Sequence, residues 1–295
     1  MKKLYITLLA ITFGSELYAQ SDSKFWQNIQ ISESLETAEK KEKPAQFMVT
    51  FPKNMPSSWL INLGVAYKFD DIFKYGVSKA LIEYHKNTLT DKEQNNFQVG
   101  YGITNKILSI SEADPFSEFD SEKSIYIDAD LKYVYDGVAI KNSFASTVLF
   151  SYYKDGTHGT NINSFSWYNK HRQGIFLSFY GGLQSQGIFN AKDKDSKGLI
   201  IRPLYIVGLQ YQITSKSDNY NPIVRLTLDY TGRVDAINTS EYKEDYTHLF
   251  KAGADIFIAY EPVKVSIGGS FNYGSDPLKG LEKQQFWLLS LNISK

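Results

Sequence analysis

The sequence predicts an all-β chain, a transmembrane antiparallel β-barrel of about twelve strands, within a range of roughly 10–14. Three observations carry that prediction. Apolar and polar residues alternate with a period of two from about residue 57 to the end. Most alternating runs exceed the roughly 9–11 residues that a tilted strand needs to cross a bilayer. Aromatic residues bracket the smaller aliphatic ones on the apolar faces, as amphipathic rings do at headgroup level.

Residues 1–19 read as a secretory signal peptide. Lys2 and Lys3 supply the positive start, 4–13 the apolar core, and Ala19 before Gln20 the cleavage site. The apolar run is too short to span a bilayer as a helix. The chain is therefore expected to be exported, and its lack of Cys suits an oxidising compartment. Residues 20–55 are assigned to a periplasmic N-terminal segment. Its charged run 32–43, stopped by Pro44, reads as a solvated linker, with a plug or docking helix as the alternative. A protein partner could be met through 20–45.

The barrel is assigned to 56–295, with strands near 57–68, 73–86, 95–108, 123–136, 143–154, 161–169, 174–188, 198–213, 222–232, 245–260, 262–273 and 284–294. In the first, Trp59, Ile61, Leu63, Val65 and Tyr67 share one face. In the fourth, Ile125, Ile127, Ala129, Leu131, Tyr133 and Tyr135 oppose Asp128, Asp130 and Lys132. Val224, Leu226, Leu228 and Tyr230 oppose Arg225 and Asp229, while Phe250, Ile256, Ile258 and Tyr260 oppose Lys251 and Asp255. Lys264 faces away from Val263 and Val265. The second strand conflicts with itself, because Lys79, Glu83 and His85 share a face with Tyr75 and Val77. A bulge near Ser78 resolves the conflict and leaves Ala80, Ile82 and Tyr84 on the apolar side. Residues 46–51 are a possible extra strand.

A soluble sandwich would hide its apolar faces between shorter strands. Charges, Gly, Ser, Thr and Asn on the opposite faces suit a wet lumen better than a dry core. Counting back from a last strand that runs inward places 261–262, 169–173 and 136–141 on the periplasmic side. The outward loops are then 109–122, 191–197, 233–245 and 274–283. Two connections disobey: 69–72 is short for an outer loop and 87–95 long for an inner one.

With a leader ending Tyr18-Ala19-Gln20 and a final strand that turns Trp287, Leu289, Leu291 and Ile293 outward, the chain resembles Gram-negative outer-membrane β-barrel proteins as a broad class, over roughly 50–295. It departs from that class by ending in Ser294-Lys295 instead of a terminal aromatic. The resemblance implies insertion in the cell outer membrane among its lipids. The acidic stretch Asp114, Glu118, Asp120 and Glu122 reads as a solvated outer loop, with binding of a divalent cation between loops or lipopolysaccharides as the alternative.

Composition narrows the function. Lys plus Arg is 32 and Asp plus Glu is 32, a balance that argues against a nucleic-acid partner. Without Cys there is no thiolate zinc site and no Cys nucleophile. His85, His158, His171 and His248 are scattered without metal-ligand spacing, so neither metal nor cofactor is expected. His248, outward near a strand end, is the one candidate for an oriented base in a lipid hydrolase, but a Ser-Asn-Gly neighbourhood is absent. The expected lumen lining is Asp128, Asp130, Lys132, Arg225, Asp229, Lys251, Asp255 and Lys264. The expected aromatic girdle is Trp59, Tyr67, Tyr135, Tyr230, Tyr260 and Trp287. Both signs of charge along a bore suit a narrow channel for small polar solutes, and can equally pair across a narrow interior and seal it. A non-transporting barrel that anchors or assembles a surface or secretion complex is the alternative, and a lipid hydrolase the second.

Overall fold

The computed structural model describes residues 24–35, 44–50, 57–73, 76–88, 92–112, 121–156, 160–170, 172–215, 221–241 and 245–295. The expected signal peptide, residues 36–43 of the charged run, and Asp114, Glu118, Asp120, His158 and His171 lie outside them. A one-turn helix, α1 (Lys24–Gln27), precedes β1 (Ile29–Ser32), β2 (Ala45–Thr50), β3 (Ser58–Phe73), β4 (Gly76–Asn87), β5 (Gln94–Glu112), β6 (Ser121–Asp136) and β7 (Lys141–Asp155). Then follow β8 (Phe165–Tyr168), β9 (Gln173–Ala191), β10 (Gly198–Thr214), β11 (Pro222–Val234), β12 (Ile237–Asn238), β13 (Tyr246–Ala259), β14 (Lys264–Asp276) and β15 (Leu281–Ser294).

Twelve strands form a closed antiparallel barrel in the order β2–β3–β4–β5–β6–β7–β9–β10–β11–β13–β14–β15, with β15 paired back to β2. Closure leaves the sheet with no free edge strand of its own. The rim that carries Ile29 and Lys295 is called the near rim; turns 137–140, 192–197 and 277–280 lie at the far rim.

The number of wall strands is the expected one, but the set differs. The alternation at 161–169 yields only β8, which pairs with residues 173–176 of β9 and with no other wall strand. Its place is taken by the chain before residue 56, so the wall begins at Ile29 and not at 56. Adding one strand at the start and removing one in the middle inverts the direction of every strand between them. The connection after β3 thereby moves to the near rim and that after β4 to the far rim, which removes those two exceptions but puts the long connection after β5 at the near rim and the short turn 137–140 at the far rim. The same inversion corrects two other assignments: 109–122 shares the near rim with 261–262, and 136–141 lies opposite.

The first wall strand is interrupted. β1 pairs with β3 from Ile29↔Tyr67 to Ser32↔Gly64, and β2 resumes at Gln46↔Asn62. On its other side β15 meets Ile31 through reciprocal backbone bonds to Lys295 (3.1 and 3.0 Å), then Ala45 through Ile293. In register, Ala45 follows Ser32 as the next residue would. Residues 33–44 are thus an insertion in one strand, leaving and re-entering the wall at adjacent positions. At the near rim, Phe25 of α1 stacks on Tyr67 and Trp26 lies under the Lys295 ammonium, 3.7 Å from ring centroid to Nζ.

Burial alternates along the wall. The outer face presents Ile82, Leu131, Phe144, Leu183, Leu226 and Ile256, all exposed, and its most exposed large residues are Trp287 (76%) and Leu289 (67%). The inner face is mostly polar and buried. Gly181 and Gly182 show what this costs sterically. A Cβ on outward Gly181 meets nothing within 4 Å, whereas one on Gly182 would stand 2.0 Å from the carbonyl oxygen of Val148. Gly182→Ala is therefore expected to destabilise the barrel by about 1–3 kcal/mol, and Gly181→Ala to be near neutral, as measured by urea unfolding.

Candidate lumen site

The bore is organised around β4. Its outward residues Ala80 and Ile82 are exposed, so Lys79, Leu81, Glu83 and His85 point inward and are buried. The bulge expected near Ser78 is not in β4, whose ladder with β5 runs unbroken from Gly76 to Asn87; the irregularity lies in the facing strand, where the β3–β4 register shifts between Phe69 and Phe73. Ser78 and Lys79 are consecutive and both buried.

Glu83 is fully buried and is the hub. Its Oε1 accepts from the backbone N–H of Leu35 at 2.6 Å and from Ser34 Oγ at 3.2 Å. Its Oε2 lies 3.4 Å from Lys132 Nζ and 3.6 Å from His85 Nε2. Lys132 also approaches Asp130 at 3.7 Å. Lys79 donates to the carbonyl of Leu35 at 2.9 Å, and Lys279 to Ser34 Oγ at 3.0 Å. Leu35 itself packs with Ala66 and Leu81, over Gly64, where any Cβ would come within 3.1 Å of it. One step earlier, Glu33 pairs with Lys251 on β13. Three consecutive residues of the insertion therefore tie β4 and β6 to β13, strands that share no backbone ladder.

A second polar cluster surrounds Lys251. Asp229 is its cross-strand neighbour, and Arg225 is that of Asp255. Asp255 accepts from Asn292 Nδ2 at 2.6 Å, and the Arg225 guanidinium lies 5.0 Å from the Phe257 ring centroid. Asp128 accepts from the Thr104 hydroxyl. Seven of the eight residues expected along the lumen thus have a polar partner or a charged cross-strand neighbour on the inner face. Lys264 is half-buried near the rim, opposite Ser294, and stands apart from both clusters. Beside the described part of the insertion lie two cavities of about 40 and 30 Å³, each room for one to about three waters.

From the far rim a second element descends. The turn Pro277–Lys279 buries Leu278 against Val134 and Ala145, and Gln94, Asn96 and Gln98 donate to the carbonyls of Lys279 and Leu278. Beside it Arg233 and Asp276 form a buried pair at 3.1 Å. Through Lys279 this turn touches the insertion at Ser34.

Of the expected girdle, Trp59, Tyr135 and Tyr230 lie toward the far rim, Tyr67 and Tyr260 toward the near rim, and Trp287 at mid-strand. His248 is surrounded by the rings of Tyr230, Tyr246 and Tyr273, and has no serine hydroxyl bonded to it among the described residues. The hub residues Glu83, His85, Lys79 and Glu33 were not among the expected lining. The phase of Ala80, Ile82 and Tyr84 already implied the first three; nothing local to 33–35 implied Glu33. Glu122, from the acidic stretch, pairs with Lys106 near the near rim.

Taking a carboxylate and an ammonium out of water is repaid only if both stay paired, so removing one partner costs about 3–5 kcal/mol. Glu83→Ala is expected to lower barrel stability by that amount in urea unfolding, and Glu83→Gln combined with Lys132→Met to recover most of it. Comparison of the chain with protein-family models, with curated proteins and with solved structures finds no match.

Proposed function

We propose that the protein is a membrane-spanning β-barrel of the outer-membrane type, acting as a narrow channel for small polar solutes that Glu33, Ser34 and Leu35 hold closed. The membrane reading is supported by the exposed apolar face, which runs around the wall and would be an aggregation hazard in water. The observation that carries the channel reading is the insertion itself. It interrupts a wall strand without changing its register, and its first residues bind the bore through Glu83 and Lys251. A barrel needed only as an anchor could fill its interior with apolar side chains at equal or better stability. Ionic contacts between a bore and a removable segment suit an interior that is sometimes wet.

One observation favours the second reading, a non-transporting anchor for a surface complex: the two cavities beside Glu33 and Lys251 are small, about 40 and 30 Å³. Joining Ser32 directly to Ala45 distinguishes the two, because the register makes these residues natural neighbours. Deletion of 33–44 is expected to leave a folded barrel and to raise planar-bilayer conductance at least tenfold over the full chain. A folded deletion variant that passes no current would favour the anchor.

A further inference from the structure

The cavity at the far rim has a different character from the filled bore beneath it. It measures about 440 Å³, within the size range of small-ligand sites, about 300–1,000 Å³. Its floor is the 277–280 turn, and Ile188, Ile200, Val138 and Leu281 give it apolar surface. Four cationic residues (Lys92, Lys141, Arg202, Lys283) and four anionic ones (Glu93, Asp136, Asp235, Glu282) line it.

Six of these charges are matched within the protein. Arg202 Nε donates to Asp235 at 2.6 Å, both almost wholly buried, and Arg202 also reaches Gln186 at 3.1 Å. Lys141 stands 3.6 Å from Asp136, and Lys92 3.2 Å from Glu282. The remaining two, Glu93 and Lys283, have no ion pair among the described residues. They flank the Lys92–Glu282 bridge in sequence, so that one carboxylate and one ammonium stand near the same stretch of rim.

A ligand of a single sign would satisfy one of these groups and confront the other. A ligand carrying both signs satisfies both, and the isoleucines and Leu281 can take its hydrocarbon. We propose that this vestibule binds a small dipolar solute with one ammonium and one carboxylate, the chemistry of a free amino acid or a dipeptide. Glu93 receives the ammonium and Lys283 the carboxylate. The floor of the site is the turn whose Lys279 holds Ser34 of the insertion, which places the bound solute directly above the closure. Binding here does not require conduction, so the site stands or falls apart from the channel reading.

The test uses the full chain in lipid nanodiscs, with L-alanyl-L-alanine as the probe and saturation-transfer NMR as the readout. The free dipeptide is expected to bind about three- to fivefold more tightly than its N-acetyl or its amide form, the span expected for exposed charge pairs. Glu93→Gln should weaken the free dipeptide and the amide while leaving the N-acetyl form unchanged. Lys283→Gln should weaken the free dipeptide and the N-acetyl form while leaving the amide unchanged. Both side chains are exposed, and an unchanged urea midpoint confirms that the variants are folded. Equal binding of all capped forms, binding indifferent to both substitutions, or no binding of the dipeptide would each overturn the proposal.

Discussion

The closing strand is the constraint on which the rest of this barrel depends. A sheet avoids rows of unpaired backbone donors and acceptors at its edges by closing on itself. Here closure uses β1 and β2, two short pieces that act as one strand because Ala45 takes the register position after Ser32. The residues between them cannot stay in the wall, and the chain leaves it on the inner side. That single departure puts Glu33, Ser34 and Leu35 inside the bore and makes the seam, the filling of the lumen and the candidate gate one piece of covalent structure.

Placing a backbone segment inside a polar bore then dictates its surroundings. The N–H of Leu35 and its carbonyl are beyond the reach of the wall ladders, and Glu83 and Lys79 satisfy them. A buried carboxylate needs a counter-charge, and Lys132 and His85 provide it from the same inner surface. The interior is thus polar where a soluble domain would be apolar, and the apolar residues lie outside. Aromatic content and negative mean hydropathy coexist for that reason: rings and aliphatics cover the outer face, while the bore and connections hold the charge.

Much of the wall was legible from alternation alone. Strands such as β6, β11 and β13 announce their two faces residue by residue, and seven of the lumen residues they supply have a polar partner or a charged cross-strand neighbour on the inner face. What failed was the identity of one strand. Residues 161–169 alternate, yet β8 finds a partner only in the start of β9, where Phe165 and Trp167 stack at 4.9 Å. Residues 46–51 read from the sequence only as a possible extra strand and 29–32 carry no strand signal of their own; their shared register on β3 is what makes 29–32 and 45–50 one strand. The two errors cancel in the count but not in direction, which is why the ends of the early loops were exchanged.

The sequence by itself determined which side chains of each strand face together, because the period of two is a property of the extended backbone and needs no partner. It also determined that one face is apolar throughout and the other charged. The tertiary structure alone decided which segments complete the wall, and that residues 33–35 enter the bore. Pairing across the seam joins residues some 250 positions apart, from Ala45 to Ile293. The contacts of Glu83 with Ser34 and Leu35 likewise depend on where the insertion enters. No local pattern encodes either, since each follows from closing the sheet.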